Sequence, residues 1–353
     1  MLRCPACDAT YADRWRCTCG HPLEFAERPL PEADSPADVD PRDGLWAVAE
    51  FLPVDRHVSL GEGWTPLVDA PDWDAAFKLD YVFPTGSFKD RGAALTLSRA
   101  AELGVETVVE DSSGNAGAAI ATYAARAGID ARIFVPTGVK ERKVRAIERA
   151  GATVERVEGS REAVTDACLE AVEAGAGWYA SHAWNPAFFA GTATMAYEIA
   201  AQFDWAVPDA VVLPLGHGTM FLGAYRGFTA LRDAGWTDRV PRLLGAQAEG
   251  YAPIADELHA STGAQNDLAD GIQIREPVRR DEILDAIEAT DGDAIAVSSE
   301  ATERELDRLH RAGFYTEPTC AVAPAALAEY RERGVLDEGA DVVVALSGSG
   351  LKG

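Results

Sequence analysis

With 353 residues, of which 47% are apolar, the chain is long enough for two ordinary domains and a small appendage. Its formal net charge of -25 argues against a protein that binds nucleic acid through a basic face, because phosphate backbones require clustered lysine and arginine. The acidic residues are spread along the whole chain and only five lysines are present.

This distributed acid with scarce lysine is typical of salt-adapted proteins of halophiles and concerns the solvent, not a reaction. The first residues, MLRCPACDAT, lack the apolar segment of a signal peptide, and no apolar run reaches the length of a membrane span. We therefore expect a soluble cytoplasmic protein that binds neither a membrane nor nucleic acid. In that reducing compartment the six cysteines are not expected to form a disulfide framework.

Four of the six cysteines form a close cluster at the head of the chain, namely Cys4, Cys7, Cys17 and Cys19. A C-x2-C pair followed at short range by C-x-C can place four thiolates at the corners of a tetrahedron, which is the geometry that Zn²⁺ accepts from sulfur. The spacing predicts a zinc-ribbon-like knob over residues 1–26 with a structural zinc ion. A metal-free remnant and a loose redox pair are the alternatives. Cys168 and Cys320 lie in apolar helical surroundings and are interpreted as small core residues.

Residues 27–43 are rich in proline, aspartate and alanine without apolar periodicity, which predicts a linker. From about residue 90 onward, short apolar runs alternate with helical segments. Strands are predicted at 106–111, 131–135, 152–157 and 178–181, and again at 209–215, 242–247, 293–298 and 341–347. Repeated βαβ units imply two parallel-sheet α/β domains, with functional sites at the carboxyl ends of the strands. We assign 91–185 to a small domain and 44–90 with 186–353 to a large one.

The stretch PTGSFKDRG, residues 84–92, places Lys89 after a glycine turn and in the first turn of a predicted helix. A lysine held between apolar walls near a helix start can have its amine pKa lowered enough to form a Schiff base. The alternative is an ordinary solvated charge. Lys78, on a predicted strand without nearby glycine, is the weaker candidate.

A second loop, DSSGNAG at 111–117, follows an apolar strand and precedes a helix. Its polar and small residues are Ser112, Ser113, Gly114 and Asn115. Unsatisfied N–H groups at a helix N-terminus favour an anion such as a carboxylate. Simple N-capping by serine is the alternative, but capping needs only one such residue, so we favour a ligand site.

A third loop, LGHGTMFLG at 215–223, again joins a strand to a helix. The backbone N–H groups of Gly216, His217, Gly218 and Thr219 can surround a phosphate there. Alone this signal is weak, because short Gly-x-Gly turns are common for steric reasons, and the motifs of ATP and dinucleotide sites are absent from the loop. Pyridoxal phosphate requires a lysine that forms a Schiff base, a site for the substrate anion and a loop that binds a phosphate. The three loops together supply these parts.

The motifs resemble those of the β-family (fold type II) pyridoxal-phosphate enzymes, which share the tryptophan synthase β-like architecture, and most closely those of threonine synthases. The likeness covers nearly the whole chain and is carried by the cysteine ribbon, GEGWTPL at 61–67, PTGSFKDRG at 84–92, SSGNAG at 112–117, GHGTMFLG at 216–223, PRLLGAQAEGYAP at 241–253 and SGSGLKG at 347–353. It implies a homodimeric lyase with an amino-acid substrate.

The resemblance assigns cofactor binding to Lys89, Phe88, Asn115, Gly216, His217, Gly218, Thr219 and Ser347. Lys89 forms the Schiff base and moves protons, so it is the expected catalytic residue. Ser112, Ser113, Gly114 and Asn115 bind the substrate α-carboxylate, and Asn115 also contacts the phenolic oxygen of the cofactor. Ser347 faces the pyridine nitrogen as a neutral hydroxyl, which suits elimination and replacement at the β or γ carbon. Phe88 packs beside the ring or in the core.

The chain departs from the usual threonine synthase pattern near the expected substrate. Phe83 replaces an asparagine, and Phe188 stands where an arginine is thought to contact the substrate phosphate. A phosphate monoester requires a well-placed cation. The replacement candidates are Arg91, Lys140, Arg142, Lys143 and Arg145, although KERKVRAIER (140–149) otherwise predicts a solvated helix face, which we favour for most of them.

Three functions are compatible with these residues. The leading hypothesis is a threonine synthase that converts O-phospho-L-homoserine and water to L-threonine and phosphate. The second is a threonine or serine ammonia-lyase, or a β-replacing synthase acting on an activated serine, which Phe188 supports. The third is a catalytically inactive zinc-ribbon binding protein, against which the intact Lys89 and glycine loops argue.

Overall fold

A computed structural model describes residues 1–33, 36, 39–259 and 265–352. Part of the predicted linker at 27–43, and the last residue of the motif at 347–353, therefore lie outside the described residues. None of the helices in the described ranges is both long and apolar enough to cross a membrane.

The strands in chain order are β1 (Leu2–Arg3), β2 (Thr10–Tyr11), β3 (Glu24–Phe25), β4 (Leu67–Ala70), β5 (Ala75–Lys78), β6 (Thr107–Glu110), β7 (Asp130–Pro136), β8 (Thr153–Val157), β9 (Trp178–Tyr179), β10 (Ala210–Pro214), β11 (Arg242–Ala248), β12 (Asp293–Val297) and β13 (Val342–Ala345). The α-helices are α1 (Lys89–Glu102), α2 (Asn115–Ala127), α3 (Glu141–Arg149), α4 (Arg161–Glu173), α5 (Pro186–Gln202), α6 (Thr219–Asp233), α7 (Ala255–Leu258), α8 (Arg280–Ala289), α9 (Ser299–Arg311) and α10 (Pro318–Glu332). Short 3-10 segments occur at Pro41–Phe51, Pro71–Trp73, Asp80–Val82, Asp270–Ile272 and Gly350–Lys352.

The described residues form two compact units. Unit 1 comprises Met1–Pro29, Asp40–Glu62 and Lys89–Gly191, and unit 2 comprises Leu30–Val39, Gly63–Phe88 and Thr192–Gly353. The predicted large domain, 44–90 with 186–353, differs from unit 2 mainly at 44–62, and also at 89–90 and 186–191, all of which lie in unit 1. The physical reason is that Leu45, Trp46 and neighbouring apolar residues share one buried cluster with α1 and α2.

Unit 1 contains a four-stranded parallel sheet in the order β8-β7-β6-β9. Its central strands read as short, nearly continuous apolar runs, as expected for strands covered by helices on both faces. The four strands predicted between 106 and 181 are all present, so the α/β prediction is confirmed here. The carboxyl ends of β6 and β9 are neighbours, because Val109 pairs with Tyr179.

The first residues of unit 1 form a three-stranded antiparallel sheet in the order β2-β1-β3. Trp15 attaches this knob to the rest of unit 1, because its ring packs edge-on against Tyr179 and Trp184 at centroid distances of 5.5 and 5.1 Å. Trp178 Nε1 also donates a hydrogen bond to Asp13 Oδ2. The knob therefore lies against β9 and the residues that follow it.

Unit 2 contains a six-stranded sheet in the order β12-β11-β10-β13-β5-β4. All neighbours are parallel except β4, which pairs antiparallel with β5 at the edge. The four strands predicted between 209 and 347 are present, whereas β4 is absent from the prediction. Helix α10 packs its alanine-rich face into the main core of this unit, although it carries Pro324.

A fully buried lysine holds β5 in unit 2. Lys78 Nζ lies 2.7 Å from Glu198 Oε2 on α5 and donates to Thr65 O and Gln202 Oε1, each at 2.8 Å. Glu198 Oε2 also accepts from the Thr65 backbone N–H. A buried charge must be both paired and hydrogen-bonded, and this network meets both conditions. Lys78 is thus a structural residue, in agreement with its lower rank as a functional candidate.

We predict that Lys78→Met destabilises the protein by about 3–5 kcal/mol, because Glu198 keeps its buried charge without a cation. Urea unfolding measures the loss. The double variant Lys78→Met/Glu198→Gln should recover part of it, and Lys140→Met, at an exposed lysine, should stay within about 0.5 kcal/mol of wild type. Equal losses in the single and double variants would contradict a charge-pairing role.

Candidate functional site

Lys89 is the first residue of α1 and is half-buried. Its Nζ lies 5.6 Å from the ring centroid of Phe188, which is fully buried at the start of α5. The same ring packs on Gly92, where a Cβ atom would overlap it. The first turn of α1 is therefore in direct contact with an apolar wall, as the sequence predicts for a lysine with a modified environment.

Buried carboxylates fix the turn that carries Lys89. Asp90 is fully buried, and the Tyr123 hydroxyl lies 3.3 Å from Asp90 Oδ2 and 3.2 Å from Glu62 Oε2. Glu62 also accepts from Trp46 Nε1 at 3.1 Å. Burial, with the charges of Asp90 and Glu62, raises the pKa of Tyr123, so its hydroxyl remains a donor. The start of α1 thus has little freedom to move in unit 1.

The loop between β6 and α2 is shaped for close backbone approach. Gly114 is the N-cap of α2 without any side-chain cap, and its N–H donates to Ser112 Oγ at 3.3 Å. No serine side chain of this loop therefore caps the first turn of α2, and the ligand site stays a prediction. Asp111 anchors the loop, because it accepts from Thr165 Oγ1 at 2.6 Å and from Tyr179 OH at 3.0 Å.

The sequence predicts no role for His182, yet the structure places it at the site. Its Nδ1 lies 2.7 Å from Oε1 of Glu110, the last residue of β6, and its ring centroid lies 6.0 Å from that of Phe188. Glu110 is fully buried, and burial raises its pKa well above the usual range. A glutamate at the end of an apolar strand is an unusual residue there, but the local sequence does not indicate its histidine partner.

In unit 2, the loop from Gly216 to Thr219 joins β10 to α6. Gly218 has φ +81° and forms the N-cap of α6 without a side-chain cap. A Cβ atom there would lie 2.6 Å from Ile283 Cδ1, and one on Gly216 would lie 3.2 Å from Ile272. Sterics therefore favour glycine at both positions, and a helix N-terminus without a side-chain cap is able to bind an anion.

Ser347 follows β13 in unit 2 and is buried. Its carbonyl accepts from the Phe88 backbone N–H at 2.9 Å, and its Oγ lies 3.4 Å from Cys320 Sγ. Burial raises the pKa of Cys320 to about 12, so this neighbour is a neutral thiol. Nearby, the fully buried Ser87 Oγ has no hydrogen-bond partner within the described part of the chain.

The four N-terminal cysteines come together in the knob. Their Sγ atoms all lie within 4.8 Å of one another, with Cys4–Cys19 at 3.6 Å and Cys7–Cys17 at 3.4 Å. Four sulfurs at about 2.3 Å from Zn²⁺ would form a tetrahedron with edges of about 3.8 Å. The Cys19 backbone N–H and the Tyr11 hydroxyl lower the pKa of Cys17 to about 5, whereas the pKa values of Cys7 and Cys19 are raised, with hydrogen bonds from neighbouring thiols contributing to the rise.

The candidate cations for a substrate phosphate differ in burial. Arg91 is fully buried, and Lys140, Arg142 and Arg145 are exposed, while Lys143 is intermediate. The exposed residues fit the solvated helix face that the sequence favours. Phe188, at the expected arginine position, is an apolar wall beside Lys89.

Residues 58–348 match the family described as "Pyridoxal-phosphate dependent enzyme". The chain belongs to this family. It is similar to the threonine synthase of Methanocaldococcus jannaschii, at 32% identity over 100% of this chain and 93% of the relative. The threonine synthase of Methanosarcina acetivorans is 35% identical over 87% of this chain and 80% of the relative.

Solved structures of other proteins have the same fold. A pyridoxal 5'-phosphate-dependent aspartate racemase superposes with a TM-score of 0.70 at 24% identity, covering 83% of this chain and 91% of its own. Threonine deaminase isoform 2 of Solanum lycopersicum gives a TM-score of 0.70 at 21% identity, covering 93% and 92%. The fold type II prediction is confirmed, and these two likenesses show the fold alone.

The described residues suit the family's cofactor. A lysine amine beside an apolar ring fits an aldehyde partner, and an uncapped helix N-terminus behind two glycines fits a phosphate. The buried, unpartnered Ser87 hydroxyl in unit 2 fits a polar ligand near Ser347. Pyridoxal phosphate is therefore compatible with the residues present in each unit.

Gly117→Ala should disturb the loop at 112–115, because a Cβ atom would overlap Ser112 O. We expect a loss of about 1–3 kcal/mol in stability and faster amide hydrogen exchange at 112–115. Gly114→Ala is the matched control, since its Cβ would only meet Ser112 Oγ at 3.8 Å. Exchange rates that change equally in both variants would contradict this account of the loop.

Proposed function

We propose that this protein is a threonine synthase, which converts O-phospho-L-homoserine and water to L-threonine and phosphate. The observation that carries the proposal is the 32% identity to a threonine synthase over the entire chain, with 93% of that relative covered. The similarity thus includes the cysteine-containing head as well as the α/β body. The glycine loops and Lys89 add geometric support in each unit.

Each proposed residue role follows from its place in the fold. When bound, pyridoxal phosphate withdraws electrons from the substrate's amino-bearing carbon and so acidifies protons at Cα and Cβ. Lys89 Nζ moves protons among Cα, Cβ and Cγ. Ser112, Ser113, Gly114 and Asn115 bind the α-carboxylate at the start of α2.

The remaining roles concern how the cofactor is held. The backbone N–H groups of Gly216, His217, Gly218 and Thr219 bind its phosphate at the start of α6. Ser347 faces the pyridine nitrogen, and its Oγ lies 3.4 Å from the neutral Cys320 thiol. Phe88 packs beside the ring and Asn115 donates to the phenolic oxygen.

One observation favours a second function within the same family. Phe188 contacts Lys89 where a phosphorylated substrate would gain from a cation. A threonine or serine ammonia-lyase, or a β-replacing synthase, acts on a smaller or less charged substrate. The inactive zinc-ribbon binding protein gains no support, because the Lys89 turn is built from buried, hydrogen-bonded residues.

Organisation and location also belong to this proposal. We propose a cytoplasmic homodimer, on the resemblance to the family. The domain boundaries stay a prediction: a knob at 1–26, a linker at 27–43, a large domain at 44–90 with 186–353 and a small domain at 91–185. The halophilic origin rests on the composition of the chain, with its net charge of -25.

The first test is the reaction itself. We expect the holoenzyme, assayed in high salt, to release phosphate from O-phospho-L-homoserine and form threonine, with a visible cofactor absorbance band. Lys89→Ala should lose that band and at least about 100-fold in kcat, because it removes the proton-moving amine. Lys140→Ala, at an exposed position, is the control. Ammonia from threonine without turnover of O-phospho-L-homoserine would refute the synthase and support the lyase.

For the knob, we propose a structural zinc ion bound by Cys4, Cys7, Cys17 and Cys19. A closed four-sulfur site has no open position for a substrate, so it takes no part in catalysis.

Elemental analysis should find about one zinc per chain, and Cys7→Ser should lower the zinc content and the melting temperature while leaving kcat nearly unchanged. Cys168→Ser, at a buried cysteine outside the cluster, should keep its zinc. A wild-type protein that carries no zinc after growth in zinc-supplemented medium would exclude the site.

A further inference from the structure

A buried carboxylate and a histidine meet at the carboxyl edge of the unit 1 sheet. Glu110 ends β6, and His182 lies three residues beyond the neighbouring strand β9. The Glu110 Oε1 to His182 Nδ1 distance is 2.7 Å, and both side chains are at least nine-tenths buried. The pair lies where the loop proposed to bind the substrate carboxylate begins.

The pair is more than a satisfied structural contact. Glu110 Oε2 is buried and has no hydrogen-bond partner within the described ranges of the chain. A buried acceptor without a partner costs stability, and an apolar residue of similar size would avoid that cost. The free oxygen therefore points to a polar role at this edge of the sheet.

Several charged or titratable groups surround the pair. Those that interact with Glu110 or its partner are Lys89 on α1, Asp111 in the loop, Cys168 and Arg161 on α4, and Tyr179 on β9. Burial and then Asp111 raise the pKa of Glu110, while Lys89 and Arg161 oppose them. The Glu110 carboxyl and the His182 imidazole can therefore share a proton along their hydrogen bond.

The bond to Glu110 sets the orientation of the imidazole. Because Nδ1 faces Glu110, Nε2 lies on the opposite side of the ring. The ring itself packs against Phe188, which also contacts Lys89 Nζ. A carboxylate that fixes an imidazole in this way is the usual arrangement for acid–base chemistry at Nε2.

We propose that His182 is a further catalytic residue, which gives a proton to the departing phosphate and later takes one from the arriving water, and that Glu110 is its positioning residue. This inference rests on the proposed function. It also supplies a cationic donor beside the apolar Phe188.

The protons gained and lost by His182 balance over one turnover. As the Cγ–O bond breaks, its electron pair stays on the phosphate oxygen, which takes the proton from His182 Nε2. Without that proton, the phosphate monoester dianion would leave as a strongly basic trianion. A water oxygen then bonds to Cβ, one water proton passes to Nε2, and the other stays on the threonine hydroxyl. His182 ends as it began, and Lys89 moves the carbon-bound protons.

The test combines kinetics with a direct readout of His182. His182→Asn keeps a donor to Glu110 but cannot exchange a proton, so kcat with O-phospho-L-homoserine should fall about 10²–10⁴-fold, with KM nearly unchanged and the cofactor band intact. Its pH–rate profile should lose the limb that reports the imidazole. O-acetyl-L-homoserine, whose acetate leaves without a proton, should show a smaller loss in the elimination step.

The matched control is His57→Asn. His57 is also in unit 1 and also faces a glutamate, Glu102, at 4.0 Å, but its side chain is 45% exposed. Its kcat and pH profile should equal those of wild type. Glu110→Gln is the second active-site variant. Its amide has the size of the carboxyl group, so this variant tests the chemistry of the pair without changing the packing. It should change the limb of the pH–rate profile that reports the imidazole, because the carboxyl oxygen facing Nδ1 is replaced by an amide.

Nitrogen NMR of histidine-labelled holoenzyme gives a readout that is independent of turnover. The His182 signals, assigned by their loss in His182→Asn, should titrate and shift when inorganic phosphate is added. A His182→Asn enzyme with wild-type kcat and pH profile would overturn the inference while leaving the proposed function standing. If wild type fails to use O-phospho-L-homoserine, the proposed function fails, and His182 nitrogens that do not respond to phosphate would overturn the inference as well.

Discussion

The close contact of α1 with the start of α5 is the constraint on which the rest of unit 1 depends. Gly92 leaves room for the Phe188 ring, and Gly191 allows its backbone to meet Arg91 O, since a Cβ atom at either glycine would overlap its neighbour. This contact fixes Lys89 against Phe188, and Phe188 in turn against His182. A larger residue at either glycine would separate the helices and move the lysine.

Three buried glutamates show how the chain treats internal charge. Glu198 has a lysine partner, Glu62 has donors from Trp46 and Tyr123, and Glu110 has a histidine on one oxygen only. The first two have the complete partnering expected of structural groups. Glu110 departs from this pattern, and it does so beside the lysine that the motifs single out. A buried polar atom without a hydrogen-bond partner, in a core where other buried polar groups have partners, is typical of functional sites.

Local sequence predicted most of the fold and part of the site. The eight predicted strands are present because each is a short apolar run between helical segments, and Lys89 was identifiable from its glycine turn. Contacts between distant positions were beyond the reach of such patterns. The partners of Glu110 and Lys78 lie 72 and 120 residues along the chain, and nothing local indicates either pairing. The edge strand β4 was missed because its four residues, LVDA, are too short for a clear alternation.

The aromatic attachment of the knob has a consequence for synthesis on the ribosome. Trp15 leaves the exit tunnel early, but Tyr179 and Trp184, against which it packs, are translated more than 160 residues later. The small apolar cluster of Leu2, Cys4, Cys17 and Leu23 can form at once, since all its members are near the N-terminus. The N-terminal knob must therefore stay folded but separate from the rest of unit 1 while that unit is being synthesised. The Trp15 side chain is exposed to water until β9 has left the ribosome.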